Sequence, residues 1–229
     1  MKYVVTDEQD RTFQDRAWEL ENRWRKNSLD PDRTLDGLQM LIENKGVSDY
    51  KRIIRDWQQF YLDLGIMYDL SGVRIPDDPG GFKRVIIMTQ GVTPQSAYDL
   101  CARNFPCWKH TDDNLDEIVT SDRTAKCGSY AIRVRDRVEA DEELANRSYN
   151  DLKRDGVVGI TLEEREIYEL KFFKETDKHL DINNWTLCAG SLCSDGGVPN
   201  ASWSGCELKV DWDGRGDAGG GLRSRAAVS

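Results

Sequence analysis

Histidine is nearly missing from this 229-residue chain: only His110 and His179 occur. No Cys-x-x-Cys spacing is present, and no second ligand pair accompanies Cys107-Trp-Lys-His110. A zinc site is therefore not expected, and Cys107 and His110 read as a buried thiol beside a surface imidazole. No stretch approaches the roughly 18 apolar residues of a membrane span, so no membrane is expected as a partner. The N-terminal Met1-Lys-Tyr-Val-Val-Thr-Asp-Glu-Gln-Asp10 lacks the apolar core of a secretory leader. That leads to the expectation of a cytoplasmic protein whose six cysteines, at 101, 107, 127, 188, 193 and 206, are reduced. A basic excess is missing too. The 41 acidic side chains outnumber the 32 basic ones, for a net charge of −9. A phosphate binder normally shows a basic face, so nucleic acid is not an expected partner.

What is present begins with three amphipathic helices. Phe13, Ala17, Leu20 and Trp24 fall on one face at helical spacing. Asp30-Pro31 reads as an N-cap followed by proline at the first helical position, with Leu35, Leu38 and Ile42 as the buried stripe and Gly46 as the stop. Ser48 caps a third helix bearing Tyr50, Ile53, Ile54, Trp57, Phe60, Tyr61 and Leu64, which Gly65 terminates. Residues 71–81 hold two prolines and three glycines and read as a linker. The division expected is thus a helical region over 1–70, a linker over 71–81 and a second domain over 82–229.

In that second domain, Val85–Met88 is a short apolar strand, and Thr93-Pro94 opens a helix with Ala97, Leu100 and Cys101. Tyr130, Ile132 and Val134 alternate with Arg133 and Arg135, as in a strand with one buried face. Thr161-Leu-Glu-Glu164 is a capping box leading a helix with Ile167, Leu170 and Phe173. Strands and helices in this order indicate an α+β fold. The acids Glu163, Glu164, Glu166 and Glu169 could support acid–base chemistry, but the plainer reading is a solvated helix face. Asp77-Asp78, Asp112-Asp113 and Asp213 with Asp217 fit no calcium loop and read as turn formers. Neither Cys193 nor Cys206 has a neighbouring base in sequence that would make it a nucleophile. The glycine-rich run 214–221 lacks the Gly-Lys-Ser/Thr ending of a phosphate loop.

From Trp185 to Ser229 the chain is written in two registers. One is apolar and strand-like: Leu187, Val198, Trp203, Leu208, Val210, Trp212, Leu222 and Val228. Trp185, Trp203 and Trp212 are the expected core of a small sheet. The other register shares no chemical theme: Leu192, Cys193, Gly197, Asn200, Ser202, Ser204, Gly205, Cys206, Asp211, Asp213, Gly216, Asp217, Ala218, Gly219, Gly220 and Gly221. Such an arrangement is a fixed scaffold holding replaceable side chains. These sixteen residues are the expected ligand-binding positions, with no catalytic residue, metal or cofactor.

The stretches Leu187-Cys-Ala-Gly-Ser191, Ser194-Asp-Gly196, Val198-Pro199, Trp203, Leu208-x-Val-x-Trp212 and Leu222-Arg-x-Arg-x-Ala-Val-Ser229 resemble the variable region of diversity-generating retroelement target proteins. The block Ser129–Asp141 and Gly159-Ile-Thr-Leu-Glu-Glu164 is similar to the constant part of that group, so the resemblance spans about residues 82 to 229. It implies a C-type-lectin-like domain preceded by a small helical region. It also implies a variable segment over about 187–229, rewritten by adenine-directed mutagenesis of AAC or AAT codons. Such mutagenesis never yields Lys, Glu, Gln, Met or Trp, and none of these occurs from Asp213 to Ser229. Lys209, on an outward strand position, departs from the rule. The calcium motifs of sugar-binding lectins are missing, since Val198-Pro-Asn200 lacks the acid and Val210-Asp-Trp-Asp213 differs from the second motif. The implied function is non-enzymatic binding of a protein ligand. Two alternatives are an enzyme on a lectin-like fold using acidic loop residues and an adaptor acting through its N-terminal helices.

Overall fold

The computed structural model describes residues 5–42 and 47–229, which form two compact units, Met1–Arg52 and Ile53–Ser229. The first holds α1 (Asp7–Arg25), α2 (Pro31–Ile42) and the start of α3 (Val47–Asp63). Thr6 and Gln9 form a reciprocal capping box on α1, and α2 begins at Pro31 as its sequence dictates. The stripes expected to be buried are not. α1 buries none of its residues, and Leu35 and Ile42 of α2 are exposed while Leu38 is half-buried. Amphipathic spacing marks a helix face, but only a neighbouring element can cover it. Gly46 and the Ser48 side chain lie outside the described residues.

The boundary between the units falls within α3, upstream of the 71–81 segment. The reason is aromatic burial: Trp57, Phe60 and Tyr61 are all enclosed in the second unit. The Tyr61 hydroxyl donates to the Ile87 carbonyl at 2.7 Å, and Lys171 Nζ lies over the Trp57 and Phe60 rings while meeting Asp56 at 2.7 Å. Burying three large aromatics contributes several kcal/mol, at about 1.5–3 kcal/mol for a side chain of this size. α3 then ends as expected, with the Ile66 N–H bonded back to the Tyr61 carbonyl at 2.8 Å around Gly65. Residues 71–81 are tied down too. Ile75 is buried, and Arg133 Nε donates to the Pro76 carbonyl at 2.5 Å.

In chain order the second unit continues with β1 (Arg84–Met88), α4 (Pro94–Ala102), β2 (Cys107–Lys109), α5 (Leu115–Ile118), β3 (Val119–Ser121) and β4 (Tyr130–Val134). A 3-10 turn at Glu142–Leu144 precedes α6 (Tyr149–Arg154) and α7 (Leu162–Thr176). Five strands close the chain: β5 (Trp185–Leu187), β6 (Ser191–Cys193), β7 (Val198–Ser204), β8 (Glu207–Asp213) and β9 (Leu222–Ser224). The expected α+β class is what the chain adopts. β1 pairs antiparallel with β4, β3 with β6, and the main sheet has the order β2-β8-β7-β5-β9. In that sheet the β2–β8 and β5–β9 pairings are parallel.

β4 was expected to bury one face, yet Arg133 is buried as well as Ile132 and Val134, because the 76–82 segment covers the second face through carbonyls of Pro76 and Phe82. The core beneath the main sheet joins Tyr98, Leu115, Val119, Leu162, Cys188, Cys193 and Val210. A second cluster holds Leu144, Leu152, Leu187, Ala189, Val198 and Leu222. Among the described residues no helix is long and apolar enough to cross a membrane.

Candidate functional site

The C-terminal segment is clamped at both ends by a buried polar network, and α7 supplies much of it. Glu163, Glu164, Glu166 and Glu169 are buried, which corrects their reading as a solvated helix face. Helix α7 runs through the interior between α4, β1 and β7, so its acids meet protein instead of water. Glu164 accepts from Arg123 Nε at 2.8 Å and from the Tyr130 hydroxyl at 2.9 Å while closing the expected capping box with Thr161. Arg165 donates to Glu169 at 2.8 Å and to Asp181 at 2.9 Å. Arg225, the residue after β9 and fully buried, reaches the other oxygen of Asp181 at 2.7 Å and the Val138 carbonyl at 2.7 Å. Its Nε also meets Thr186 Oγ1 at 3.2 Å, and Thr186 donates to Asp181 at 2.5 Å. The start of the segment (Thr186) and its end (Arg225) are therefore bonded to each other and to one carboxylate.

Glu163 accepts from the Ser121 hydroxyl at 2.8 Å, and burial pushes its carboxyl up to about 7. Both carboxyl oxygens of Glu166 are buried without a hydrogen-bond partner, and burial, followed by the neighbouring Glu163, raises its pKa well above the ordinary carboxylate range.

Between the clamped ends, β7 and β8 form a hairpin in which Ala201 opposes Val210 and Trp203 opposes Leu208 on one face. Ser202 opposes Lys209 and Asn200 opposes Asp211 on the other. The turn is Gly205-Cys206, both left-handed at φ 66° and 64°, the geometry of a two-residue type I′ hairpin.

The sixteen expected binding positions divide. Ser204, Gly205, Cys206, Gly216, Asp217, Ala218 and Gly220 are exposed; Ser202, Asp211, Asp213 and Gly219 are partly exposed. Two fail the expectation outright. Cys193 is 6% exposed and sits in the core beside Val119 and Cys188, with burial pushing its thiol up to about 12. Asn200 is 7% exposed, its amide donating to Asp213 at 2.9 Å. Strand alternation puts Asn200 on the outward side of the hairpin, but Leu187 of β5 lies alongside it in register. Leu192 packs against the second core cluster. Gly197 and Gly221 are constrained by their neighbours: an added Cβ would stand 3.0 Å from the Trp212 ring at Gly197 and 2.9 Å from the Trp185 ring at Gly221. At Gly216, Gly219 and Gly220 it would meet nothing within 4 Å.

The tryptophans correct a second expectation. Trp185 is 41% exposed and lies over Gly221, outside the core. Trp203 and Trp212 are half-buried. Trp203 stacks parallel on the His179 ring with Phe105 edge-on, and His179 Nδ1 sits 2.9 Å from Glu169. Trp212 packs against the core cluster that holds Val210, while Leu208 and Val210 themselves are fully enclosed.

Sequence reasoning missed Trp108 and His110. β2 pairs in parallel with β8 and sets Trp108 in register with Lys209, whose Nζ lies 5.9 Å from the indole. The His110 Nδ1 stands 3.2 Å from Asp211, and its ring contacts Trp212. These residues flank the outward hairpin face, yet β2 lies about a hundred residues upstream, so no local signal joins them to it. The aspartates read as turn formers hold turns: Asp78 accepts from the Gly80 and Phe82 N–H groups, and Asp217 accepts from that of Gly214, each at 2.8 Å. The six cysteines carry free thiols, with Cys127 and Cys206 exposed. Among the described residues no group of three or more His, Cys, Asp or Glu side chains is placed to hold a metal ion. No family model, curated protein or solved structure matches the chain.

Proposed function

We propose that the protein is a non-enzymatic binding protein of C-type-lectin-like fold whose C-terminal face is diversified by a retroelement, with a protein as ligand. The observation that carries this reading is the contrast inside one segment. Thr186 and Arg225 are locked to Asp181, while between them Ser204 is exposed and a Cβ added at glycines 216, 219 or 220 would meet nothing within 4 Å. Positions that carry no packing accept substitution at a cost usually within about 0.5 kcal/mol. The hairpin turn adds support. An unmutated AAC or AAT codon encodes asparagine, which suits the left-handed backbone that Cys206 occupies.

The enzyme alternative would draw on acidic loop residues. Of these, Asp78 accepts from the Gly80 and Phe82 N–H groups and Asp217 from that of Gly214, so both carboxylates hold their own turns. That use favours binding over catalysis.

The surface proposed comprises Ser202, Ser204, Cys206, Asp211, Asp213, Gly216, Asp217, Ala218, Gly219 and Gly220, bordered by Trp108 and His110. Randomising these ten positions together should leave most variants folded, by thermal melting, while binding to a selected protein target changes. If most variants unfold, the surface is structural and the reading fails. In the source genome, a reverse-transcriptase gene and a second copy of this segment differing at adenines are expected nearby.

A further inference from the structure

Helix α1 poses a problem that the binding face does not solve. It is 19 residues long, capped at its N-terminus, and buries none of its side chains, yet it presents Phe13 at 71%, Trp18 at 66% and Trp24 at 40% exposure. A lone helix of this length is only marginally stable in water, and most helices are held by burying an apolar face.

Its apolar residues follow a two-heptad seam. Phe13, Ala17, Leu20 and Trp24 are spaced by four, three and four residues, which places Phe13 and Leu20 at d positions and Ala17 and Trp24 at a positions. Trp18 falls outside this seam. The residues flanking the seam then select an orientation. Arg16 and Arg23 occupy g positions, and Glu21 occupies an e position. In a parallel pair each g residue faces the e residue five positions on in the other helix, so Arg16 meets Glu21 of the second copy, twice per pair by symmetry. In an antiparallel pair g faces g, and Arg16 would meet Arg23 of the second copy, a like-charge contact. Among the described residues Arg16 has no ion pair within its own chain, whereas Glu21 already holds Arg25 on its own helix.

We propose that α1 is covered by α1 of a second copy of this chain, as a parallel two-helix pair with the Phe13-Ala17-Leu20-Trp24 seam inside and reciprocal Arg16–Glu21 ion pairs outside. The seam is short, so the pair is reversible, with monomer and dimer exchanging across the micromolar range. Resting on the binding function proposed above, pairing joins two diversified faces in one assembly and strengthens attachment to a repetitive target through avidity.

The test needs no ligand, so its outcome is separate from that of the binding reading. Sedimentation of the full chain across micromolar concentrations should show a dimer that dissociates on dilution. Ala17→Glu, which puts a charge in the seam, should leave monomer at every concentration, with the thermal melt of the second unit unchanged. Arg16→Glu should weaken the dimer at least tenfold, and adding Glu21→Arg should restore it. In a background of Cys127→Ser and Cys206→Ser, Ala17→Cys should cross-link under mild oxidation, because a parallel pair sets the two Ala17 side chains face to face. A chain that stays monomeric throughout, or a dimer indifferent to Ala17→Glu, overturns the proposal. A dimer that the double charge reversal fails to restore, or that Ala17→Cys fails to cross-link, overturns the parallel register.

Discussion

Helices α1 and α7 look alike on paper and are opposites in space. Each opens with a capping box, each carries acids in its first turn, and each mixes charges of both signs along its length. α1 buries nothing; α7 buries its first ten residues, from Leu162 to Lys171. Local chemistry is the same in both, since capping and the helix dipole act within one turn. The difference is what surrounds them. α7 meets an arginine or a hydroxyl for most of its acids, and these come from Arg123, Tyr130 and Ser121 far away in sequence. A buried charge survives only where such partners exist.

The largest test of that contrast removes one partner. Arg165→Ala leaves Glu169 and one oxygen of Asp181 buried without their cation. It should destabilise the second unit by about 3–5 kcal/mol in urea unfolding. The matching change on α1 away from the proposed seam, Arg11→Ala, should shift the unfolding of the first unit by no more than about 0.5 kcal/mol. Equal effects from the two would erase the distinction.

A smaller effect separates the helices by pH. The Glu163 carboxyl is raised from 4.5 to about 7 by burial. The native state thus keeps a proton that the unfolded chain has released. This contribution to stability is full below about pH 4.5 and is lost as pH rises to about 7, worth at most about 3 kcal/mol. Glu166 pushes in the same direction. Glu143, lowered to about 2 by its Arg137 hydrogen bonds, acts oppositely but only below its unfolded value, outside this window. Urea midpoints of the wild type should fall across this window, and Glu163→Gln should flatten the decline. Glu19→Gln on the exposed face of α1 serves as the control; an equal flattening there would remove burial as the cause.

The smallest effects sharpen the same contrast within the C-terminal segment. Gly221→Val should destabilise by about 1–3 kcal/mol, since its Cβ meets the Trp185 ring at 2.9 Å. Gly219→Val and Gly220→Val, with open space around them, should change thermal stability by no more than about 0.5 kcal/mol. A similar loss at all three would mean that the loop as a whole is structural.

Much of the local structure was legible in the residues alone. The capping boxes of Thr161 and Glu164, the helix start at Pro31, the Gly65 stop and the alternation of Leu208 and Val210 each depend on neighbours within a few positions. The same reasoning failed wherever a distant element decides the surroundings. It put Glu163 to Glu169 in water, Trp185 in the core and Cys193 and Asn200 on the surface, and it could not join Trp108 and His110 to the hairpin.

By itself, then, the sequence determined the starts of α2, α4 and α7, the stop of α3, the α+β class and the two-register writing of the last forty-five residues, because those follow from hydrogen bonds and side-chain periodicity over a few residues. Only the tertiary structure decided which faces those elements bury. It drew α3's aromatics into the second unit, closed Arg165 and Arg225 around Asp181, and left α1 uncovered. Burial and charge pairing depend on what lies across the fold, and residues that meet there can be a hundred positions apart in the chain.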